Sequence, residues 1–246
     1  MAAYNAEKTI KYAVDSVLSQ SFQNWELLII DDASSDHTRD ILNCYKDSRI
    51  KIIENNENLG VSRTRKVGAD IAQGEWIAVL DSDDMWRSDK LEKQIELAKK
   101  TKGKLFFTAS TFMDDSGNQI NYILHVPAVL TYRQLLKQNL ISNSSVMVNK
   151  ELYRKYYAIG DKMHEDYAIW LKITKEGIHA FGIDEPLLIY RLTESSKSSN
   201  KVKAAKMNWN TLKYCGVSKK QELYYMGWYC INGLRKYIAL RMRKQA

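Results

Sequence analysis

Three places in the sequence bring acids together where a carboxylate can do chemistry: Asp31-Asp32, Asp81-Ser82-Asp83-Asp84 and Glu165-Asp166. The first two follow the apolar runs Trp25-Glu26-Leu27-Leu28-Ile29-Ile30 and Trp76-Ile77-Ala78-Val79-Leu80, which stop abruptly at the acids. Such runs fit strands buried on both faces, and ligands in open α/β sheets collect beyond the carboxyl ends of the strands. Each cluster also has a plain explanation, since acids solvate loops and cap helices. Two of them on neighbouring units favour one shared site. Close carboxylates repel one another unless a hard divalent cation lies among them, and partly hydrated Mg2+ or Mn2+ commonly bridges carboxylates to a diphosphate. A metal held there would neutralise charge on a departing diphosphate. Glu165-Asp166 opens the apolar segment Tyr167-Ala168-Ile169-Trp170-Leu171. That segment is expected to be a helix, and a helix N-terminus favours acids through capping and its dipole without any catalysis.

The elements that must position these acids alternate along the chain. Ile10, Ala13, Val14, Val17 and Leu18 recur at helical spacing between Ala6 and Gln20, with Asn5 placed as the cap. After the strand ending at Ile30, the pattern predicts a helix from about Asp36 to Tyr45, a strand Ile50–Ile53 and a helix near Ser62–Ala72. Next come the strand Trp76–Leu80 and a helix Ser88–Lys100 with Leu91, Ile95 and Ala98 on one face. Alternation of this kind means βαβ units. The fold class is α/β, a doubly wound and mostly parallel sheet with helices on both faces. Such a sheet normally opens with a strand, yet here a helix starts within a few residues of Met1. The first strand is therefore expected to be missing, with Met1 internal to a longer chain. Beyond Leu105–Phe112 and the turn Asp114–Gly117, strands and short helices mix, and this half is expected to bind the second substrate.

The 246 residues suit one catalytic-size domain. Boundaries are expected at 1–200 for the catalytic domain, with a nucleotide half of about 1–112 and an acceptor half of about 113–200, and at 201–246 for a helical, basic-aromatic extension. Lys and Arg number 37 against 29 Asp and Glu, a net +8 that suggests an anionic partner. Cys44, Cys215 and Cys230 form no close pair, which argues for a reducing compartment and against a disulfide framework or structural zinc. No apolar run approaches the roughly 20 residues that span a bilayer, and no signal peptide is evident. A cytoplasmic protein, soluble or peripheral on the inner face of the plasma membrane, is expected.

Five segments in register carry a resemblance: Tyr4-Asn5-Ala6-Glu7, Ile30-Asp31-Asp32-Ala33-Ser34-Ser35-Asp36, Asn58-Leu59-Gly60-Val61-Ser62, Leu80-Asp81-Ser82-Asp83-Asp84-Met85-Trp86 and His164-Glu165-Asp166-Tyr167. Together, from Met1 to about Arg191, they resemble glycosyltransferase family 2 with its GT-A fold. The resemblance implies inverting transfer of a sugar from a nucleotide-sugar donor to a hydroxyl, as in bacterial polysaccharide synthesis. It implies that Ala3, Tyr4 and Glu7 line the nucleoside pocket, that Asp32 accepts a hydrogen bond from the base, commonly uracil, and that Arg65 approaches the nucleotide. Asp81 and Ser82 would sit by the donor, Asp83 would be the principal ligand of Mn2+ or Mg2+ with Asp81 beside it, and Asp84 would support them. Asp166 would be the general base, taking the acceptor hydroxyl's proton. Ala2 stands where the family often has proline, and Lys66 where it often has asparagine. The acceptor would be a glycan or a lipid-linked glycan, selected by the segment Phe106–Asn149.

His164 adjoins the acidic pair and is a candidate donor or metal contact, or else a capping residue. Arg191 precedes the polar stretch Ser195–Asn200, read as a mobile loop; it is placed either to touch phosphate or to form a salt bridge. The tail Tyr224–Lys244 mixes Tyr225, Trp228, Tyr229, Ile231 and Leu234 with Arg235, Lys236 and Arg241. It either packs on the domain or lies at a membrane surface. Other readings are a sugar-phosphate nucleotidyltransferase, disfavoured because no glycine-rich, lysine-containing phosphate loop lies near the N-terminus, and an inactive sugar-binding protein. Nucleic acid is not an expected partner, since the basic residues form no recognisable motif.

Overall fold

The computed structural model describes residues 1–192 and 201–243, with the backbone alone from 236 onward. The first half runs β1 (Ala2–Ala3), α1 (Ile10–Leu18), β2 (Leu27–Asp31), α2 (Thr38–Asn43), β3 (Ile50–Glu54), α3 (Val61–Ile71) and β4 (Trp76–Ala78). Then follow β5 (Met85–Trp86), α4 (Lys90–Thr101), β6 (Leu105–Met113), β7 (Gln119–Leu124), β8 (Val129–Leu130), α5 (Tyr132–Lys137), β9 (Met147–Asn149) and α6 (Lys150–Tyr156). The chain continues through α7 (Glu165–Lys175), β10 (Ala180–Arg191), α8 (Lys201–Tyr214) and α9 (Lys219–Arg243).

The α/β alternation is present, but the strands divide into two sheets. β1, β2 and β3 form a parallel three-stranded sheet, with Ala2 opposite Ile30 and Leu27 opposite Ile50. The other sheet has seven strands in the order β4-β9-β6-β10-β5, with β7 on β6 and β8 on β10. Only β6 and β10 pair in parallel there; the remaining pairs are antiparallel. A mostly parallel sheet thus describes the first half, while β9 and β5 interleave in the opposite direction in the second. Because β9 is antiparallel to both β4 and β6, the strands β4, β6 and β10 run the same way. Their carboxyl ends, and the acids after β4, therefore share one edge.

Ahead of α1, the two-residue β1 pairs with β2. Its ladder extends one residue back, since the Ile30 N–H donates to the Met1 carbonyl at 2.9 Å and the Met1 ammonium to the Leu28 carbonyl at 2.7 Å. Enclosure of that ammonium pushes its pKa down to about 6, with Asp81 opposing the shift. Asn5 does not cap α1. It adopts φ +47 and its Oδ1 accepts from the Ser35 N–H at 2.9 Å, while α1 begins four residues later than expected after Thr9. An Asx side chain tolerates this left-handed turn, which lets the chain leave β1 sharply.

All five residues of β2 and all nine of β6 are buried, as their apolar runs require. One core cluster joins the two sheets, with Ala3, Leu27 and Ile29 packed with Leu80, Trp86, Leu91 and Leu188. A larger one lies under β6 and β9 and is filled by α7, where Ala168, Trp170, Leu171 and Ile173 are fully buried. α7 is apolar almost all round, so it sits inside the core and fixes the position of its first turn.

Candidate active site

The acidic ends of β2 and β4 are built differently. Asp31 is fully buried and holds the loop after β2: it accepts from the Ser34 N–H at 3.1 Å, from the Ser34 hydroxyl, and from Arg39 Nε at 2.8 Å. Asp32 faces the loop before α3. Its Oδ1 accepts from Asn55 Nδ2 at 2.8 Å and the Leu59 N–H at 2.9 Å, and its Oδ2 accepts from the Gly60 N–H at 2.9 Å. Burial works to raise its pKa, but these hydrogen bonds hold it below the usual carboxylate value. Gly60 takes φ +80 here, a backbone conformation that Gly adopts without strain. Both oxygens of Asp32 thus have internal partners, and the base contact implied by the resemblance would have to share them.

Ala3 is buried in β1, whereas Tyr4 is half exposed. Glu7 accepts from the His37 N–H at 3.1 Å, and the Glu7 N–H donates to Asp36 at 3.1 Å, which locks the segment after β1 to the start of α2.

At the end of β4, Asp81 and Asp83 part company. Arg65 reaches across from α3, its Nη2 donating to Asp81 Oδ1 at 2.6 Å and its Nη1 to Glu165 Oε1 at 2.8 Å. Burial opposes the Asp81 charge, yet Arg65 and Asn143 hold its carboxyl below the ordinary value. Arg65 thereby bridges two protein carboxylates, one at the end of β4 and one in the first turn of α7. Asp83 has no such cation, and burial together with the charge of Asp81 pushes its pKa up to about 6. Asp84 is raised further by burial, Asp83 and Asp81; its Oδ1 accepts from the Arg191 N–H at 3.0 Å, while Oδ2 is buried without a partner.

Arg191 forms no ion pair with a carboxylate among the described residues. Its guanidinium donates to the backbone carbonyls of Asp83 at 3.2 Å, Asp114 at 3.3 Å and Asp115 at 3.2 Å, which pins the acidic turn against the turn after β6. The stretch Ser195–Asn200 lies outside the described residues. His164 ties α7 to α8: its N–H donates to Thr211 Oγ1 at 2.9 Å and its Nε2 meets the Ala204 carbonyl at 3.3 Å.

Asp166 is half buried in the first turn of α7, beside Glu165, which the ion pair to Arg65 fixes. No hydrogen bond or ion pair to the Asp166 carboxylate is found among the described residues. Tyr190 ties the cluster together. Its hydroxyl is pushed up by burial and by the carboxylates of Asp84, Asp83, Asp81 and Asp166, and so lies within electrostatic range of all four. Asp81, Asp83 and Asp166 thus all act on one buried hydroxyl, while Asp32 and Glu7 hold the loops after β2 and β1. Three participants carry no motif in the sequence: Tyr190; Asn143, which contacts Asp81; and Ser144, whose hydroxyl accepts from the Asp81 N–H at 3.1 Å.

Among the described residues, no three His, Cys, Asp or Glu side chains gather as a ready metal cage. The donor set fits a cation held mainly by its ligand: Mg2+ and Mn2+ characteristically take one or two carboxylates and complete their shell with phosphate and water. Asp83, half-buried and without an ion pair among the described residues, suits that role. Asp81 Oδ1 is engaged by Arg65.

The model of glycosyl transferase family 2 matches residues 1–156. TuaG of Bacillus subtilis (strain 168), a glycosyltransferase provisionally assigned to teichuronic acid biosynthesis, is 41% identical over 209 residues, covering 84% of this chain and 83% of TuaG. The Escherichia coli enzyme WfaP, a UDP-Glc:alpha-D-GlcNAc-diphosphoundecaprenol beta-1,3-glucosyltransferase, is 37% identical over 238 residues, covering 96% of this chain and 93% of WfaP. Among solved structures, residues 1–349 of S. aureus TarS in complex with UDP-GlcNAc superpose with a TM-score of 0.72 at 17% identity, covering 88% of this chain. The chain spans only 64% of that structure, so this likeness speaks for the GT-A fold alone. By fold, acidic strand ends and relatives, the chain is a glycosyltransferase that belongs to glycosyl transferase family 2.

Proposed function

We propose that the protein transfers a sugar, with inversion, from a UDP-sugar to a hydroxyl of a lipid-linked glycan. One observation carries the reading: Arg65 neutralises Asp81 and Glu165, while Asp83 and Asp166 have no ion pair of their own among the described residues. Those two carboxylates can then take separate tasks. Asp83 would hold a divalent cation, which when bound neutralises charge on the leaving diphosphate. Asp166 would accept the acceptor's proton as its oxygen bonds to the anomeric carbon and the bond from that carbon to the diphosphate breaks. Glu165, fixed by Arg65, would keep the first turn of α7 in place. The acceptor chemistry follows WfaP, whose name specifies a diphosphoundecaprenol-linked sugar.

A lipid-linked acceptor calls for a route to the membrane, although no helix among the described residues is long and apolar enough to cross one. In α9, Leu223, Tyr224, Ile231 and Leu234 are exposed near Lys219, Lys220 and Arg235. That face would rest on anionic headgroups, and the catalytic domain would comprise residues up to about 200. The test is product formation from UDP-sugars and a lipid-diphosphate sugar, with and without Mn2+, and the anomeric configuration read by NMR. Asp166→Asn should bind UDP as the wild type does and lose roughly 1,000-fold in turnover. Undiminished turnover would remove Asp166 from its role.

A further inference from the structure

Lys90, in the first turn of α4, is fully buried. Its Nζ donates to Gln94 Oε1 at 2.8 Å and stands 4.1 Å from the centroid of the Trp86 ring. No ion pair reaches it among the described residues, and burial alone drives its ammonium well below the ordinary lysine value. A buried lysine without a counter-ion costs stability, because the charged form loses its hydration and gains no opposite charge. Its place in the core therefore calls for a reason other than packing.

Both groups that Lys90 touches act on one short turn. Gln94 Nε2 donates to the Ser145 carbonyl at 2.9 Å, and Trp86 Nε1 donates to the Ser144 carbonyl at 2.7 Å. Gln94, Ser144 and Ser145 are as fully enclosed as Lys90 itself. A carboxamide accepts at one end and donates at the other, so Lys90 at Oε1 fixes the sense in which Gln94 faces Ser145. A cation over an indole face is attracted to the ring, and here it steadies the plane that aims the Trp86 N–H at Ser144. The turn Asn143–Ser145 in its own right holds the acids: the Ser144 hydroxyl accepts from the Asp81 N–H at 3.1 Å, and Asn143 Nδ2 lies 3.4 Å from Asp81 Oδ1. We infer that Lys90 is a positioning residue, which through Gln94 and Trp86 holds the turn Asn143–Ser145 and through that turn sets Asp81 and the acidic stretch that follows it.

The chain needs such a link because α4 precedes β6 and the turn comes just before β9, on the far side of β7, β8 and α5 in the sequence. Slack at the turn passes directly to Asp81, whose backbone N–H and carboxylate are both held from it. Asp83 lies two residues on, in a turn closed by the Asp84 N–H on the Asp81 carbonyl at 3.2 Å. Groups that orient a ligand from behind commonly change metal affinity by about 10-fold or more when they are removed. The consequence for sugar transfer rests on the task proposed for Asp83, whereas the mechanical link from Lys90 to Asp81 does not.

The test compares the wild type with Lys90→Met and Trp86→Phe. Methionine keeps an unbranched apolar chain at position 90, and phenylalanine keeps a ring beside Lys90 while removing the indole N–H. Lys90→Met should unfold at no lower a temperature than the wild type, since a desolvated amine is gone. Exchange of the Asp81 amide and of the Trp86 indole N–H should quicken about 10-fold. The Mn2+ concentration for half-maximal transfer should rise about 10-fold, with turnover at saturating Mn2+ within about two-fold of the wild type. Trp86→Phe breaks one of the two holds and should raise the Mn2+ requirement in the same direction. A lysine that only fills the core would give the reverse, a lower unfolding temperature at an unchanged Mn2+ requirement and unchanged Asp81 exchange, and that result would overturn the inference. If the wild type transfers sugar equally well without Mn2+, the task proposed for Asp83 fails, and exchange alone decides the role of Lys90: faster exchange of the Asp81 amide in Lys90→Met upholds it, and equal exchange overturns it.

Discussion

Asp31-Asp32 and Asp81-Ser82-Asp83-Asp84 look alike in the sequence, each an acidic stop to an apolar run, yet the protein uses them in opposite ways. The first pair is saturated from within: Asp31 by Ser34 and Arg39, Asp32 by Asn55 and two backbone N–H groups. In the second cluster, one carboxylate is neutralised by Arg65 while Asp83 keeps a charge that burial and Asp81 make unfavourable. Internally satisfied acids fix loops. An acid left unsatisfied in a buried turn costs stability, and that cost is recovered when a ligand supplies the missing cation.

The sharpest way to break this contrast is Asp83→Asn. Turnover should fall by roughly 1,000-fold if Asp83 holds the cation, while the ligand-free protein becomes more stable. The sign follows from linkage: a carboxyl whose folded pKa is raised from 3.8 to about 6 favours folding below pH 3.8 and loses that contribution as pH rises through 6. Near neutral pH, Asn should therefore recover about 2 kcal/mol, read from urea unfolding at pH 4 and pH 7 without metal. A destabilised Asp83→Asn would place Asp83 with the loop-fixing acids.

Arg65→Met tests the other member of the cluster. It strands two buried carboxylates, and breaking buried pairs of this kind typically costs about 3 kcal/mol or more. Arg65→Lys keeps the charge but loses the fork to Asp81 and Glu165, so it should recover part of the stability. Unchanged stability of Arg65→Met would mean that neither carboxylate depends on it, and the division within the acidic turn would fail.

Asp32→Ala should act through stability, at about 2 kcal/mol, because it leaves the Leu59 and Gly60 N–H groups and Asn55 without their acceptor. Its pH signature is opposite to that of Asp83. The folded pKa of Asp32 is depressed, so its contribution is present above 3.8 and fades as pH falls below that. The variant should therefore lose the acid sensitivity that the wild type shows under pH 4. A large loss of UDP affinity without loss of stability would instead make Asp32 the nucleotide contact that the family resemblance implies.

Much of this was legible before the structure. Abrupt acids after apolar runs located two strand ends, and Tyr167–Leu171 located α7, because burial on all sides leaves a strong signal in composition. What the pattern missed has physical reasons. Asp31 and Asp83 are the same residue in the same kind of position, and only three-dimensional neighbours such as Arg39 and Arg65 separate them. The ion pair of Arg65 with Glu165, 100 residues away, carries no mark in the sequence. The antiparallel insertion of β9 and β5 escaped because strands of three and two residues carry too little periodicity to declare a direction. Arg191 was offered as a phosphate or salt-bridge residue, and its three carbonyl acceptors are backbone groups that no sequence pattern marks.

The gentlest perturbation concerns α9, which extends the comparison from acids to apolar residues. Trp228 and Tyr229 are half buried, with Lys137 Nζ 5.4 Å from the Trp228 ring, and Tyr225 and Met226 pack on the core. Leu223 is 63% and Leu234 61% exposed, with Gly227, Cys230 and Ile231 also exposed between them. Leu223, Gly227, Ile231 and Leu234 recur at steps of four, four and three residues and so form one stripe, with Cys230 at its edge. Packing and surface roles thus belong to opposite sides of the same helix. Replacing Ile231 and Leu234 by Ser should change stability by less than about 0.5 kcal/mol, as exposed sites do. Binding to anionic vesicles should weaken several-fold in co-sedimentation, with turnover of a water-soluble acceptor unaltered. Loss of folding would assign the stripe to packing, because an exposed residue that nothing covers contributes nothing when removed.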